Sequence, residues 1–261
     1  MKTMIRLFVF VCVIVSETCL MAQTIELQHI RPFGTNPGNL KMYAYSPQVI
    51  DTSESLPLVV VLHGCTQTAH VCAKQTGWNT LADRHQFYVM YPEQIILNNL
   101  ENCFNWFKEK DQERGKGEPE SIKQMIDYMQ EHYKINSSKI YVIGMSAGGA
   151  MSTIMLSVYP ELFDKGGVMA GGPYKASTSV VGSAKVMFGA KIKSPENWSQ
   201  LIKNQNPNYK GSYPELVIFH GNHDVVVNIN NAKQLIKQWT HLTIQTRYQM
   251  KQPIGLTETL I

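Results

Sequence analysis

The feature that most constrains this chain is a serine between glycines, placed where a strand-like run changes into a helix-like run. The segment KIYVIGMSAGGAMSTIML, residues 139–156, begins with β-branched and aromatic residues and continues with helix formers. In the pattern GxSxG, a strand turns sharply into a helix and lifts the serine hydroxyl to the carboxyl edge of a sheet. The segment therefore predicts that Ser146 is a nucleophile; the alternative is a tight packing turn between strand and helix.

A nucleophilic serine requires hydrogen-bond donors for the oxyanion that forms during acyl transfer. The backbone N–H of Ala147, at the start of the predicted helix, would point at this charge, and the helix dipole would favour it. A second donor is expected from the loop LHGCTQTA, residues 62–69, which follows a buried strand-like run. We expect His63 to buttress this loop by hydrogen bonding, and either Cys65 or Thr66 to offer the N–H.

An acidic partner is expected after the nucleophile, at the carboxyl end of a later strand. Asp224 meets this condition, because it follows the strand-like run LVIFHG and stands 78 positions beyond Ser146. The alternative is an aspartate that serves only the turn. His220 and His223 border Asp224, and we expect His220 to be a packed, hydrogen-bonded structural residue.

Strand-like and helix-like runs alternate along the chain. The predicted strands are NLKMYAYSP, LPLVVVLHG, FYVMYP, KIYVIGM, GGVMAGG and PELVIFHG, and the predicted helices are TGWNTLADRH, PESIKQMIDYMQEHY, AGGAMSTIMLSVYPELF and NNAKQLIKQW. This alternation predicts an α/β fold, with a mainly parallel sheet covered by helices on both faces. Between residues 173 and 213 the periodicity is poor, and we expect a cap or a substrate loop there.

The composition fits one globular domain. The 261 residues, 44% of them hydrophobic and 17% charged, can bury one sizeable core. A net charge of +4 without a dense Lys/Arg cluster indicates no nucleic-acid partner.

The first 22 residues have the layout of a secretory signal peptide. A cationic start precedes an apolar run over residues 7–15, which is too short for a comfortable membrane span. We expect cleavage after Ala22 and a secreted protein, extracellular or periplasmic, with residues 23–261 as one domain and no stable membrane insertion. The alternative is an uncleaved membrane anchor.

Seven blocks occur in order between about residues 39 and 239: LHGCTQTA, TGWNTLAD, YPEQ, NCFNWF, GMSAGGAM, YPELFDKGGVMAGGPY and IFHGNHDVVVNINNA. Together they resemble the secreted polyhydroxybutyrate depolymerase family, which also contains acetylxylan and feruloyl esterases. The resemblance implies an α/β-hydrolase fold, with Ser146 as the nucleophile and Asp224 as the triad acid. It also implies a disulfide between Cys65 and Cys103, whereas we assign Cys72 no counterpart.

The same resemblance implies a histidine in a GHAW-like loop after a further strand, and this sequence has no such segment. Of the eight histidines only His241 follows Asp224, and we expect it to start the next strand far from Ser146. His223 lies on the turn of the acid itself, and we expect neither histidine to be the base. We therefore expect an α/β-hydrolase that lacks the last strand and the histidine loop, as a truncated gene or a frameshift would produce.

These features predict a serine esterase that works through an acyl-enzyme, with the N–H groups of Cys65 and Ala147 holding the oxyanion. The resemblance implies as substrate a polyester such as polyhydroxybutyrate, or acetyl or feruloyl groups on plant polysaccharide. The alternatives are an inactive member that binds esters or glycans, and a thioesterase or peptidase on the same fold. Trp106 is a candidate for stacking on the substrate or for an aromatic core. We expect no metal and no cofactor.

Overall fold

Seven strands form one sheet at the centre of the molecule. The computed structural model describes residues 26–50 and 53–243. The strand order in the sheet is β1-β2-β4-β3-β5-β6-β7. In chain order the strands are β1 Gln28–Ile30, β2 Lys41–Tyr45, β3 Leu56–Leu62, β4 Tyr88–Glu93, β5 Ile135–Met145, β6 Lys165–Met169 and β7 Glu215–Phe219.

Six of the seven strands in the described part of the chain run in the same direction, and β2 runs opposite to them. The pairs β4–β3, β3–β5, β5–β6 and β6–β7 are parallel, whereas β2 pairs antiparallel with both of its neighbours, β1 and β4. Parallel neighbours need long crossover connections, and helices make them here. The predicted mainly parallel α/β sheet is confirmed, and the carboxyl ends of its central strands meet at one edge.

Helices cover both faces of the sheet. They are α1 Ala69–Thr76, α2 Trp78–His85, α3 Gly117–His132, α4 Ala147–Val158, α5 Val180–Met187, α6 Pro195–Gln205 and α7 Asn230–Leu242, with short 3-10 turns at Glu109–Gln112 and Pro160–Leu162. Side chains alternate across β3, so each face of this strand meets different helices. Leu58 and Val60 lie in the larger core, with side chains of α3, α4 and α7, whereas Val59 and Val61 pack against α1 and α2.

The region between residues 173 and 213 is more ordered than its sequence suggests. It contains α5 and α6, two helices that were not predicted within the expected cap or substrate loop. Ser179 and Ser194 cap the two helices, since their hydroxyls accept the N–H groups of Gly182 and Asn197. Each helix presents only a few apolar residues to the core, such as Val186 and Trp198, and this is why the periodicity is weak.

Two further elements were not predicted from the sequence. The strand β1 has three residues, which is too short for an alternating pattern to show. The helix α1 begins at the end of the predicted loop 62–69, after Thr68, whose hydroxyl accepts the N–H of Val71 at 3.2 Å. A capping threonine is a common start of a helix.

Two of the expectations concern residues outside the part of the chain that the structure describes. The signal peptide falls on residues 1–22, and the expected lack of a strand after α7 concerns residues 244–261. Within residues 26–50 and 53–243, β7 is the last strand on its side of the sheet. None of the helices in this part of the chain combines the length and the apolar character that spanning a bilayer requires.

The core around β3 generates the first prediction. Leu58 is fully buried, so Leu58→Ala would leave a cavity and should lower the free energy of unfolding by about 2–5 kcal/mol. Leu97 is 86% exposed, and Leu97→Ala should change the stability by less than about 0.5 kcal/mol. Urea denaturation followed by circular dichroism measures both. Equal losses in the two variants would contradict the assignment of Leu58 to the core.

Candidate active site

Ser146 lies at the turn between β5 and α4, in a backbone conformation that is rare for a residue with a side chain. Its φ is 55° and its ψ is −118°. Such a positive φ places strain on a non-glycine residue and persists only where the surrounding structure holds it. Here the N–H of Ser146 donates to the carbonyl of Met169 at 2.8 Å, which ties the turn to the end of β6.

The glycines on either side let three backbone segments approach one another. A Cβ added to Gly144 would overlap the carbonyl of Gly148, and one added to Gly148 would overlap the carbonyl of Leu62 on β3. Residues at these two positions must therefore lack a side chain for α4 to begin so close to the sheet. This close approach is the reason for the GxSxG spacing in this chain.

The second loop at this edge follows β3 and is joined covalently to a later loop. Cys65 and Cys103 form a disulfide, the pair that the resemblance implies. The N–H of Thr66 donates to the carbonyl of Glu101 at 2.7 Å and is therefore occupied. Among the described residues, the N–H of Cys65 has no such partner. Of the two predicted donors, only Cys65 retains a free N–H.

His63 buttresses this loop, as its position in the sequence suggested. The side chain is 1% exposed, its Nε2 accepts the N–H of Gln94 at 3.0 Å, and its Nδ1 donates to the carbonyl of Gly64 at 2.7 Å. Burial lowers the pKa of His63. The imidazole is therefore neutral and occupied at both nitrogens, which leaves no free nitrogen for proton transfer.

A buried carboxyl group lies behind the two loops. Glu118, the second residue of α3, accepts the N–H of Asn105 at 2.8 Å, the side-chain amide of Asn105 at 2.6 Å and that of Gln94 at 2.5 Å. The amide of Gln94 also donates to the carbonyl of Cys103 at 3.2 Å. Glu118 thus ties two parts of the loop after β4, at Gln94 and Asn105, to the start of α3.

Glu118 shares its surroundings with a second buried acid. Asp111 is 1% exposed and its Oδ1 accepts the N–H of Glu118 at 2.9 Å, while its Oδ2 has no partner among the described residues. Burial, with the nearby Asp111 carboxyl as a second cause, raises the pKa of Glu118 to about 8. Burial also raises the pKa of Asp111.

An apolar cleft opens beside Ser146. Its volume is about 170 Å³, and its walls come from the disulfide, the start of α4, the chain after β6, α5 and the first turn of α7. Trp106 and Phe107 also line it, whereas Phe104 is fully buried in the core. The aromatic block NCFNWF therefore serves both the cleft and the core.

Asp224 lies in the turn after β7, at the same edge of the sheet. Its Oδ1 accepts the N–H groups of Val226 and Val227 at 2.9 and 2.8 Å, and its Oδ2 is 3.5 Å from His220 Nε2. Since β6 separates β5 from β7, the ends of these strands are roughly 10 Å apart. A further side chain would have to bridge Asp224 and Ser146.

None of the eight histidines hydrogen-bonds to the Ser146 hydroxyl, and all eight lie within the described residues. The ring of His220 is buried and its Nε2 donates to the carbonyl of Val227 at 2.7 Å, which makes it the packed residue we predicted. His223 is exposed on the Asp224 turn.

His241 lies in the last turn of α7. Its Nδ1 is 2.8 Å from the hydroxyl of Ser199, and its Nε2 is 3.5 Å from Glu196; both partners belong to α6. The prediction that His241 starts a strand is wrong, because α7 continues to Leu242. Its contacts with α6 keep it out of the cleft lining.

Two residues of the site had no signal in the sequence analysis. A glutamate at a helix start ordinarily faces solvent, so nothing marked Glu118 as buried. Asn231 lines the cleft, and its side-chain amide donates to the carbonyl of Val186 at 2.7 Å, which fixes α5 against α7. It stands in the block IFHGNHDVVVNINNA, where no separate pattern distinguishes it.

The buried acids generate a prediction on pH. The pKa of Glu118 is about 8 in the folded chain against an ordinary 4.5, so folding favours the protonated carboxyl. The contribution of this group to stability is complete below about pH 4.5 and is lost as the pH rises through about 8. The variant Glu118→Gln should show a smaller fall of unfolding free energy between about pH 5 and 9 in urea denaturation. Glu101→Gln, at an exposed position, is the matched control, and equal slopes for Glu118→Gln and wild type would contradict the assignment.

Comparison with known sequences identifies related esterases. The Esterase PHB depolymerase family profile matches residues 41–247. Poly(3-hydroxyalkanoate) depolymerase C of Paucimonas lemoignei is 42% identical over 215 residues, which are 82% of this chain and 51% of that protein, so the chain spans about half of that relative. Probable acetylxylan esterase A of Aspergillus flavus is 31% identical over 226 residues, 84% of this chain and 72% of that protein. Feruloyl esterase B of Neurospora crassa is 30% identical over 223 residues, 83% and 75% respectively.

Solved structures agree with the sequence relatives. An acetyl xylan esterase from Aspergillus awamori has a TM-score of 0.78 and 29% identity, over 83% of this chain and 80% of that chain. An S-formylglutathione hydrolase from Staphylococcus aureus, at 13% identity and a TM-score of 0.60 over 87% and 90% of the two chains, shares the fold alone. The resemblance carried by the seven blocks is confirmed: the chain belongs to the Esterase PHB depolymerase family of α/β-hydrolases.

Proposed function

We propose that this protein is a secreted serine esterase that hydrolyses carboxylic esters of a polyester or of an acylated plant polysaccharide. The observation that carries the proposal is the strained turn that presents Ser146 at the rim of an apolar cleft, opposite the free N–H of Cys65. Membership in an esterase family supports the same reaction.

In the proposed reaction, Ser146 Oγ attacks the ester carbonyl carbon and gives its proton to a base from solvent, since none of the eight histidines hydrogen-bonds to Ser146. The negative charge that develops on the carbonyl oxygen is held by the N–H groups of Cys65 and Ala147. The C–O bond to the alcohol breaks, the alcohol leaves with the proton, and the acyl group remains on Ser146 until water releases it as an acid. Asp224 is the acid that would orient such a base and stabilise its charged form.

The size of the cleft favours a small acyl group. A volume of about 170 Å³ is close to the roughly 150 Å³ of a cavity that holds benzene. An acetyl or 3-hydroxyalkanoyl group fits this space, whereas a feruloyl group would extend out of it. This points to the substrates named for the poly(3-hydroxyalkanoate) depolymerase and the acetylxylan esterases among the relatives.

Secretion is part of the proposal. It rests on the signal-like layout of residues 1–22 and on the disulfide, which forms and persists in oxidising compartments. The proposed partner is accordingly an ester-bearing polymer or oligomer outside the cytoplasm.

A second candidate function is binding of an ester or glycan without turnover. The observation that favours it is that none of the eight histidines bridges Ser146 and Asp224. Losing the base of such a triad can lower turnover on the order of a million-fold, because its members act as a unit. The test of the proposed reaction therefore has to separate a missing nucleophile from a missing base.

The test measures the burst and steady-state hydrolysis of nitrophenyl acetate by the protein of residues 23–261. Hydrolysis above the protein-free blank is expected, and Ser146→Ala should abolish it because the acyl group has no other acceptor. Ser137 lies exposed near the start of the same strand, so Ser137→Ala is the matched control and should keep the wild-type rate. Undiminished hydrolysis by folded Ser146→Ala would overturn the assignment of the nucleophile.

Added imidazole distinguishes the two candidate functions. If the chain lacks only a base, imidazole should raise hydrolysis by wild type beyond its effect on the blank, and should not do so for Ser146→Ala. His241→Ala and His223→Ala should match wild type, since neither side chain hydrogen-bonds to Ser146. A wild-type protein that is folded, inactive and unresponsive to imidazole would favour binding without turnover.

A further inference from the structure

A second pocket lies next to the cleft and is lined by lysines. Its volume is about 210 Å³, and Lys175, Lys185, Lys191 and Lys193 all contribute to its wall. Ala176 lines both this pocket and the cleft beside Ser146. We call this space the lysine pocket. Its shared wall places four positive charges beside the site that the proposed function assigns to ester cleavage.

The charges of the lysine pocket are not neutralised by neighbouring side chains. Within residues 26–50 and 53–243, none of the four ammonium groups forms an ion pair. No carboxylate lines the pocket. The pKa of Glu113 is lowered, mainly because its carboxylate is bonded to Lys116 at 2.7 Å. The charge of Lys175 is a smaller cause of the same shift. The pocket therefore retains a positive potential that would attract an anion.

Two of the lysines are positioned by buried aromatic rings. The Nζ atom of Lys175 is 5.7 Å from the ring centre of Tyr174, and that of Lys193 is 5.6 Å from the ring of Trp198. Both rings are fixed by hydrogen bonds: the Tyr174 hydroxyl donates to a backbone carbonyl at 2.7 Å, and the Trp198 indole donates to a glutamine at 2.9 Å. Cation–π contacts of this kind reduce the freedom of long side chains.

The first turn of α5 adds to the same potential. Ser179 and Gly182 line the lysine pocket, and the Ser179 hydroxyl accepts the N–H of Gly182 at 3.1 Å. The start of a helix carries a partial positive charge, which supplements the four lysines. Lys185 of α5 also lines the lysine pocket, whereas Ser183 and Val186 of the same helix line the cleft. The helix α5 thus contributes to both spaces.

We propose that the lysine pocket binds a carboxylate carried by the ester substrate, so that the enzyme prefers acidic ester oligomers over neutral ones. The proposal rests on the proposed function, since it assigns the scissile ester to the cleft beside Ser146. A carboxylate is a monovalent planar anion that several ammonium groups can contact at once. Two sources have this chemistry: the free acid end of a hydroxyalkanoate oligomer, and a uronic acid on an acetylated xylo-oligosaccharide.

Binding, measured by calorimetry in the Ser146→Ala background, tests the proposal without requiring turnover. The probe is the linear trimer of 3-hydroxybutyrate, compared with its methyl ester. Two partly exposed charge contacts should make the free acid bind about fivefold or more tightly. The variant Lys185→Gln/Lys191→Gln, at two exposed positions, should reduce this preference to less than about twofold and leave binding of the methyl ester unchanged.

The matched control is Lys74→Gln/Lys139→Gln, which removes the same charge at exposed positions outside the lysine pocket. It should keep the preference for the acid. A second series compares acetylated xylo-oligosaccharides with and without a uronic acid. Equal affinity for the acidic and the neutral member in both series, binding of neither member, or equal losses in the two double variants would overturn the proposal. A lysine-dependent preference for the acid in either series supports the pocket, and the series that shows it identifies the source.

The two proposals fail in distinguishable ways. A chain that lacks a base would show no turnover and could still bind the acid preferentially in the Ser146→Ala background. A chain that hydrolyses nitrophenyl acetate through Ser146 and binds acid and ester equally would keep the proposed function and lose the lysine pocket.

Discussion

The close approach of the first turn of α4 to the sheet is the constraint on which the rest of the site depends. Gly148 lies against the carbonyl of Leu62 on β3, and Gly144 lies against Gly148, so a side chain at either position would push the helix away. With the helix this close, the chain must turn sharply at Ser146, and the positive φ follows. The same geometry directs the helix start at the cleft, where its N–H groups favour negative charge.

The opposite wall of the cleft is held by a polar network. The disulfide joins the loop after β3 to the loop between β4 and α3, and Glu118 receives three hydrogen bonds from Gln94 and Asn105 of the latter loop. Burying two carboxyl groups is costly, and protonation reduces this cost, which is why the pKa of Glu118 is raised. Through the disulfide, this network holds in place the loop that presents the N–H of Cys65.

Three histidines are held by neighbouring groups in places away from Ser146. His63 is bonded at both ring nitrogens, His220 is packed beneath the Asp224 turn and His241 is bonded to α6. Each of these three imidazoles has a local structural role, and none of the eight histidines bridges the strand ends that carry Ser146 and Asp224. Ser146, Asp224 and the N–H groups of Cys65 and Ala147, to which the proposed reaction assigns its roles, thus lie at one edge of the sheet, while the proton acceptor is the one part that these eight histidines do not supply.

The sequence by itself determined those strands, helices and turns whose residues follow a pattern within one segment. Apolar runs bounded by turns predicted β3, β5 and α4. The GxSxG spacing predicted the sharp turn at Ser146, because its glycines and serine are close in the chain, whereas the contact of Gly148 with Leu62 is seen only in the tertiary structure. Only the tertiary structure decided which N–H of the loop after β3 is free, since Glu101 occupies that of Thr66 from 35 positions away. Likewise, the sequence did not predict that Glu118 is buried, that residues 173–213 contain the helices α5 and α6, or that four lysines line one pocket. They depend on contacts between distant segments, which no periodicity within one segment records.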